Sequence, residues 1–477
     1  MSTWGKRRVA CLAVCCVVVL AGCAPTLREV EPARLIARPT LRVSPTVPPP
    51  DLSTAALVRQ RGRLIVGIRY DAPPMARVNA EGELEGFEVD LARALAQRWL
   101  GSERNVRFVP VTTRTALQKL QRREIDLAMG AMVHSREGEL IADYSLPITL
   151  DGEALLVRSG TFADFASMAR RAVDYIDAAS TFALRDAQIA NGITVTLRRQ
   201  NSYRAAVNEL LSGNTDGVVG RWRRLRATAA SDPALQVLAV FTQEPLAIAL
   251  PPNDSAWANL VNITLSALVA DGTFAQLYTR WFGEPPLGAS ALTRLPTLRL
   301  ADLPERLALR DPLRGVRERG QVRVAYAPNA APFAATNAQG MAEGYEVELV
   351  RELARRWLGN PFAVEFIPRD PAQLSAVLAN GEAELAIGGL NRDGANELVM
   401  DFSMPLFRTA ETTVAFGLPE NASTWRDLVN LTLQELLDDG TLARIARRWF
   451  PDQSPAWFER LPGQTVESRV LFSTLVP

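Results

Sequence analysis

Short apolar runs alternate with helically spaced apolar positions along most of this chain. Leu64-Ile65-Val66-Gly67-Ile68 is a continuous apolar run followed by Pro73-Pro74, the pattern of a strand buried on both faces. Leu91, Leu95 and Trp99 recur at i, i+4 and i+8 and predict an amphipathic helix. That helix is expected to begin at Asp90, where an acid suits the positive end of the helix dipole. Val106 to Val109 predicts a second strand, Ala116, Leu117 and Leu120 a second helix, and Ile125 to Met129 a third strand. The order β-α-β-α-β implies a mostly parallel sheet with ligands at the carboxyl ends of its strands.

The same pattern returns later in the chain. Gly86-Phe87-Glu88-Val89-Asp90-Leu91 matches Gly344-Tyr345-Glu346-Val347-Glu348-Leu349, Arg98-Trp99-Leu100-Gly101 matches Arg356-Trp357-Leu358-Gly359, and Asp143-Tyr144-Ser145 matches Asp401-Phe402-Ser403, each pair 258 residues apart. Beyond that the offset changes. Trp257 matches Trp425, Asp271-Gly272-Thr273 matches Asp439-Gly440-Thr441, and Trp281-Phe282 matches Trp449-Phe450, each 168 apart. The second copy therefore lacks ninety residues that the first one has. An internal repeat of this kind signals two related folded units.

The N-terminus reads as a processing segment. Lys6, Arg7 and Arg8 precede the apolar stretch Val9 to Leu20, which is too short to span a bilayer core of ~30 Å and suits a signal-peptide core. It ends in Leu20-Ala21-Gly22-Cys23, which resembles the bacterial lipobox, so Cys23 is the expected lipidation site. The other cysteines, Cys11, Cys15 and Cys16, lie in the apolar stretch and would leave with it, so no disulfide is expected in the mature chain. A net charge of +1 implies no polyanionic partner. No nucleic-acid surface is expected, because the arginines are not clustered with aromatic residues. A length of 477 residues allows two or three domains.

Together the Pro-Pro turn, the Gly-Phe-Glu-Val-Asp-Leu segment, the Asp126-Leu-Ala strand, Asp143-Tyr-Ser-x-Pro and Asp271-Gly-Thr…Trp281-Phe resemble a known family. It is the bacterial extracellular solute-binding protein family 3, the binding proteins of polar amino-acid ABC transporters. The resemblance implies an α/β fold of the type 2 periplasmic-binding-protein class. Two lobes joined by a hinge of two crossing strands enclose the ligand. It also implies the following layout: signal peptide 1–23, Pro-rich tether 24–56, and a complete module 57–283. In that module lobe 1 would be 57–150 with 247–283, and lobe 2 would be 155–243. A linker 284–312 leads to a second, single-lobe copy 313–450 and a tail 451–477.

The family's amino-acid site is only partly present. Its Thr place is held by Ser135 and its carboxylate-binding Arg place by Gly138, with Arg136 nearby. The acid that binds the ligand ammonium in lobe 2 is replaced by Arg221, after Gly213-Asn-Thr-Asp216-Gly-Val-Val. Arg69 stands where an acid is common, Ala72 where a stacking aromatic is frequent, and Met75 where an aromatic is usual. Gly130 and Ala131 follow the third strand. Ala178-Ala179-Ser180-Thr181 replaces a Gly-Ser/Thr-Thr cradle and keeps the hydroxyls of Ser180 and Thr181. Two readings are open: a pocket retuned for an anionic solute by Arg69, Arg136 and Arg221, or a site released from amino-acid binding.

The functional expectation is an extracytoplasmic receptor, lipid-anchored at the membrane, with a small polar solute and an ABC permease or sensor as partners. No cofactor and no metal are implied, and the lone His134 reads as structural. A sensor or scaffold lipoprotein is the alternative, and an enzyme on the same fold a further one. Against an enzyme, the chain carries no Gly-x-Ser-x-Gly and no evident nucleophile–base pair.

Overall fold

The computed structural model describes residues 52–176, 180–452, 460–465 and 467–475; Cys23 lies outside them. The apolar run predicted as the first strand is the strand Leu64–Ile68, buried at every position. The expected helix runs Phe87–Leu100, three residues earlier than Asp90. Gly86 sets that start. Its φ is 141°, and a Cβ there would lie 2.3 Å from the Met75 carbonyl oxygen, so only glycine lets the chain turn into the helix at this point. Gly344 repeats the geometry against Phe333 in the second copy.

The first sheet has the order Val106–Pro110, Leu64–Ile68, Leu127–Met129, Ala249–Leu250, Asp143–Tyr144. Its first three strands are parallel and the last two antiparallel to their neighbours. The second sheet has the order Thr196–Arg199, Ala172–Tyr175, Gly217–Arg221, Glu153–Arg158, Leu235–Val240. Thr149–Asp151 and Glu244–Leu246 pair antiparallel between them, forming the hinge. The chain thus leaves lobe 1, builds lobe 2 and returns.

A third sheet repeats the first strand for strand: Val364–Pro368, Val322–Tyr326, Leu385–Ile387, Gly417–Leu418, Asp401–Phe402. Core contacts repeat with it. Trp99 and Trp257 have ring centroids 5.1 Å apart, and Trp357 and Trp425 are 5.2 Å apart. Trp99 donates to the Thr264 hydroxyl and Trp357 to that of Thr432. No counterpart of the second sheet is found among the described residues of this copy. Where lobe 2 would enter, Phe407–Arg408 and Thr413–Val414 pair directly. Phe407 faces Val414 as Thr149 faces Leu246, and Thr409 N–H closes the turn on the Thr412 carbonyl at 2.9 Å. Phe407 packs on Phe333 and Phe450, at 5.4 and 4.7 Å between centroids. Aromatic rings thus fill the second copy's hinge region.

The two lobe-1 bodies meet through reciprocal contacts. Ser255 Oγ donates to Asp401 Oδ2 at 2.8 Å, and Ser423 Oγ to Asp143 Oδ2 at 2.9 Å. Ser255 N–H donates to Asn421 Oδ1 and Ser423 N–H to Asn253 Oδ1. Each residue is the repeat partner of its counterpart. This is the isologous pattern of a twofold dimer, realised within one chain. The segments after each copy pack as well: Ser53 Oγ donates to the Pro304 carbonyl, and Phe472 stacks on Trp357. No single helix among the described residues is long and apolar enough to cross a membrane.

Candidate functional site

Strands Leu64–Ile68 and Leu127–Met129 both end at the face of lobe 1 that looks toward lobe 2, and the residues just beyond them are Arg69, Gly130 and Ala131. From lobe 2, strand Gly217–Arg221 ends at the same place. Between them lies a cavity of about 350 Å³, at the small end of the range for ligand sites. Lobe 1 lines it with Arg69, Asp71, Met75 and Ala131. The hinge and lobe 2 line it with Asp151, Glu153, Ser180, Tyr203, Gly220, Arg221 and Arg224. Five residues expected at a site therefore share one cavity: Arg69, Met75, Ala131, Ser180 and Arg221.

The remaining expected residues are placed differently. Gly130 sits against the Arg69 backbone, where a Cβ would lie 2.6 Å from Arg69 N. The N–H groups of Gly130 and Ala131 are both taken by the buried Glu88 carboxyl, whose pKa burial raises. Ser135 caps the short helix Arg136–Glu139, accepting from Gly138 N–H. Thr181 is half-buried in the first turn of helix Ser180–Asn191. Ala178 and Ala179 lie outside the described residues.

Arg136 is a correction. Its side chain is 3 % exposed and turns away from the cleft into the contact with the second copy. There it donates to Asp438 (3.0 Å from Nη2 to Oδ1), to Gln434 Oε1, to Thr465 Oγ1 and to the Leu461 carbonyl. Arg136 heads a helix whose outer face meets the other lobe-1 body, a partner that neighbouring residues in the sequence do not reveal.

Arg221 lines the cavity, but not as an unpaired cation. It donates to Asp151 Oδ2 (3.1 Å), to Glu153 Oε1 (3.2 Å) and to Glu244 Oε2. Glu153 is its direct cross-strand neighbour, so both side chains project on one face of the sheet. Burial works against the guanidinium's charge, and the three carboxylates hold it on. Glu153 is 6 % exposed, and burial pushes its carboxyl up to about 7 despite Arg221 and the Ser180 hydroxyl. Glu153 Oε2 and Arg221 Nη2 are buried with no hydrogen-bond partner among the described residues. A second charge group lies in the same cavity: Arg69 Nε stands 3.3 Å from Asp71 Oδ1, and Arg224 donates to the Asp71 carbonyl. The three arginines expected to attract an anion are thus not assembled: one is elsewhere and one is outnumbered by carboxylates.

Sequence reasoning missed Asp151, Glu153 and Glu244. The spacing Asp151-Gly-Glu153 puts both acids on one side of an extended chain, a signal that was available. The approach of Glu244 depends on hinge pairing across the whole of lobe 2. Among the described residues no group of three or more His, Cys, Asp and Glu is placed to hold a metal ion.

Comparison with known proteins agrees with this architecture. The family model described as bacterial extracellular solute-binding proteins, family 3, matches residues 64–284 and again 322–452. The glutamine-binding protein GlnH of Bacillus subtilis is 26 % identical over 240 residues, which is 49 % of this chain and 86 % of that protein. A glutamine-binding protein of Geobacillus stearothermophilus is 31 % identical over 199 residues, 41 % of this chain and 75 % of that one. Among solved structures, an ancestral cationic amino acid solute binding protein is similar at 28 % identity and a TM-score of 0.43, over 48 % of this chain and all of that one. The two matched segments correspond to the two sheet systems that share a strand order, and the chain belongs to the bacterial extracellular solute-binding proteins, family 3, carrying a two-lobed copy followed by a single-lobe one.

Proposed function

We propose that the chain is an extracytoplasmic receptor of the amino-acid ABC-importer type whose first copy closes its lobes on a small polar solute of the α-amino-acid class. The observation that carries this reading is the cavity between the lobes, walled by both of them and containing a buried donor and a buried acceptor without partners among the described residues. Unsatisfied buried polar atoms are costly, and a polar solute would satisfy both. The similar proteins named for glutamine support the solute class. The second copy has no facing lobe and its hinge is filled with aromatic rings, so it is given no solute of its own.

Isothermal titration of the full chain with L-glutamine, L-arginine, L-cystine and glutarate tests the reading. At least one α-amino acid should bind, and Gly220→Trp should abolish that binding while leaving the fold intact. Gly220 lines the cavity, and a Cβ there has only the Tyr203 ring within 4 Å, at 3.7 Å. Binding that survives Gly220→Trp, or no response to any amino acid, would remove the proposal.

A further inference from the structure

The cleft's charge reversal has been answered on the neighbouring strands. Arg221 ends strand Gly217–Arg221, and three carboxylates surround it: Asp151 and Glu244 from the hinge strands, and Glu153 from the strand beside it. Three carboxyl groups around one guanidinium give this cluster more acid than base. Asp151 is fully engaged, since Oδ2 receives Arg221 Nε and Oδ1 receives Arg223 N–H. Glu244 receives Arg221 on one oxygen and the Thr242 hydroxyl on the other. Glu153 differs: Oε1 meets Arg221, the Ser180 hydroxyl lies by the carboxyl, and the buried Oε2 has no hydrogen-bond partner among the described residues.

We infer that Glu153 Oε2 is the acceptor for the solute's ammonium group, with Arg221 Nη2 donating to an oxygen of the same solute. This deepens the amino-acid reading of the cleft and rests on it. An ammonium brings positive charge to the surplus carboxyl and satisfies its open oxygen together, through a charge-assisted hydrogen bond. A dicarboxylate does neither. A neutral amide fills the two hydrogen-bonding vacancies but brings no positive charge. The other ionisable groups lining the cavity are Arg69, Asp71, Arg223, Arg224 and Tyr203. Arg69 and Arg224 cluster with Asp71 and supply positive charge for the solute's carboxylate. Burial raises the Glu153 carboxyl to about 7 in the empty cleft, so docking an ammonium there at neutral pH should drive off a proton.

The test compares L-glutamine with glutaramate (the same molecule without its α-ammonium) and L-arginine with δ-guanidinovalerate, on the full chain and on Glu153→Gln. Loss of the ammonium should weaken binding ten- to a hundredfold in the wild type. Glu153→Gln should weaken the amino acid by a similar factor and leave the des-amino acid nearly unchanged. Titration of the wild type at pH 7 in two buffers of different ionisation enthalpy should reveal proton release that Glu153→Gln lacks, a readout that a merely structural role in holding Arg221 would not give. Equal binding of an amino acid and its des-amino form, equal weakening of both by Glu153→Gln, or binding of the amino acid without proton release overturns this inference and leaves the receptor reading standing. If none of these compounds binds, the receptor reading fails, and this inference with it.

Discussion

Arg136 and Arg221 are both expected from the sequence to face the cleft, and their surroundings give them different tasks. Arg136 is a clamp between the two copies. Its replacement by alanine leaves Asp438 with Thr465 and Arg460 and leaves Gln434 and the Leu461 carbonyl without their guanidinium partner. Breaking one side of a buried, hydrogen-bonded ion pair costs about 3 kcal/mol, and Asp438 is itself partly solvated. Arg136→Ala should therefore lower stability by roughly 2 kcal/mol in urea denaturation without altering affinity for whichever amino acid binds. A loss of affinity at unchanged stability would return Arg136 to the solute. The two arginines could not be told apart from sequence, because what decides each is a carboxylate distant in the chain: Asp438 in one case, and in the other the set that includes Glu244. What could be read locally, such as the Ser135 cap or the glycine before helix Phe87–Leu100, depends on neighbours within a few positions.

At the scale of elements, the contact between the copies is built from equivalent pieces that have diverged at a few positions. Asn259 donates from Nδ2 to the Glu397 carbonyl. The repeat partners of these two residues are Asp427 and Glu139, so where one side of the pseudo-axis has an amide the other has a second carboxyl beside Glu139. Asp427 is pushed well up by burial and by the nearby Glu139, and Asp401 is raised to about 7, chiefly by burial. Such groups hold protons in the folded chain that unfolded carboxyls, titrating near ~4, have released. These two groups therefore contribute less stability as pH rises above about 4, and for Asp401 that loss runs through about 7. Asp427→Asn restores the amide found on the symmetric side. It should raise stability at pH 8 by about 1 kcal/mol, with the gain shrinking at pH 5, as measured by urea denaturation at both values. A variant less stable than wild type at pH 8, or a gain independent of pH, would show that the carboxyl is satisfied where it stands. The repeat itself was fully legible, since its offsets of 258 and 168 are carried by whole segments. That the copies would pack on each other was not, because the matching Ser–Asp pairs join residues from opposite halves of the chain.

For the whole molecule, the change of offset has a mechanical meaning in the turn Thr409–Thr412. That turn joins two strands whose pairing reproduces the hinge of the first copy, Phe407 with Val414 where the hinge has Thr149 with Leu246. A lobe-1 body thus keeps its fold whether its two hinge strands are joined by four residues or by an entire second lobe. Lobe 2 is a cassette, and its entry and exit points are already adjacent before it is inserted. Replacing residues 151–244 with Thr-Ala-Glu-Thr should give a shorter chain that unfolds cooperatively and retains the Ser255–Asp401 and Ser423–Asp143 contacts, but binds no solute. Circular dichroism melting would check the first point, hydrogen exchange at the contact the second, and titration the third. A non-cooperative chain would mean that Arg223, which reaches from lobe 2 to Tyr278 and Thr149, is needed to complete the body it leans on. If the shortened chain folds, solute capture and structural self-sufficiency reside in separable parts of the polypeptide, and selection can alter or discard the first without dismantling the second.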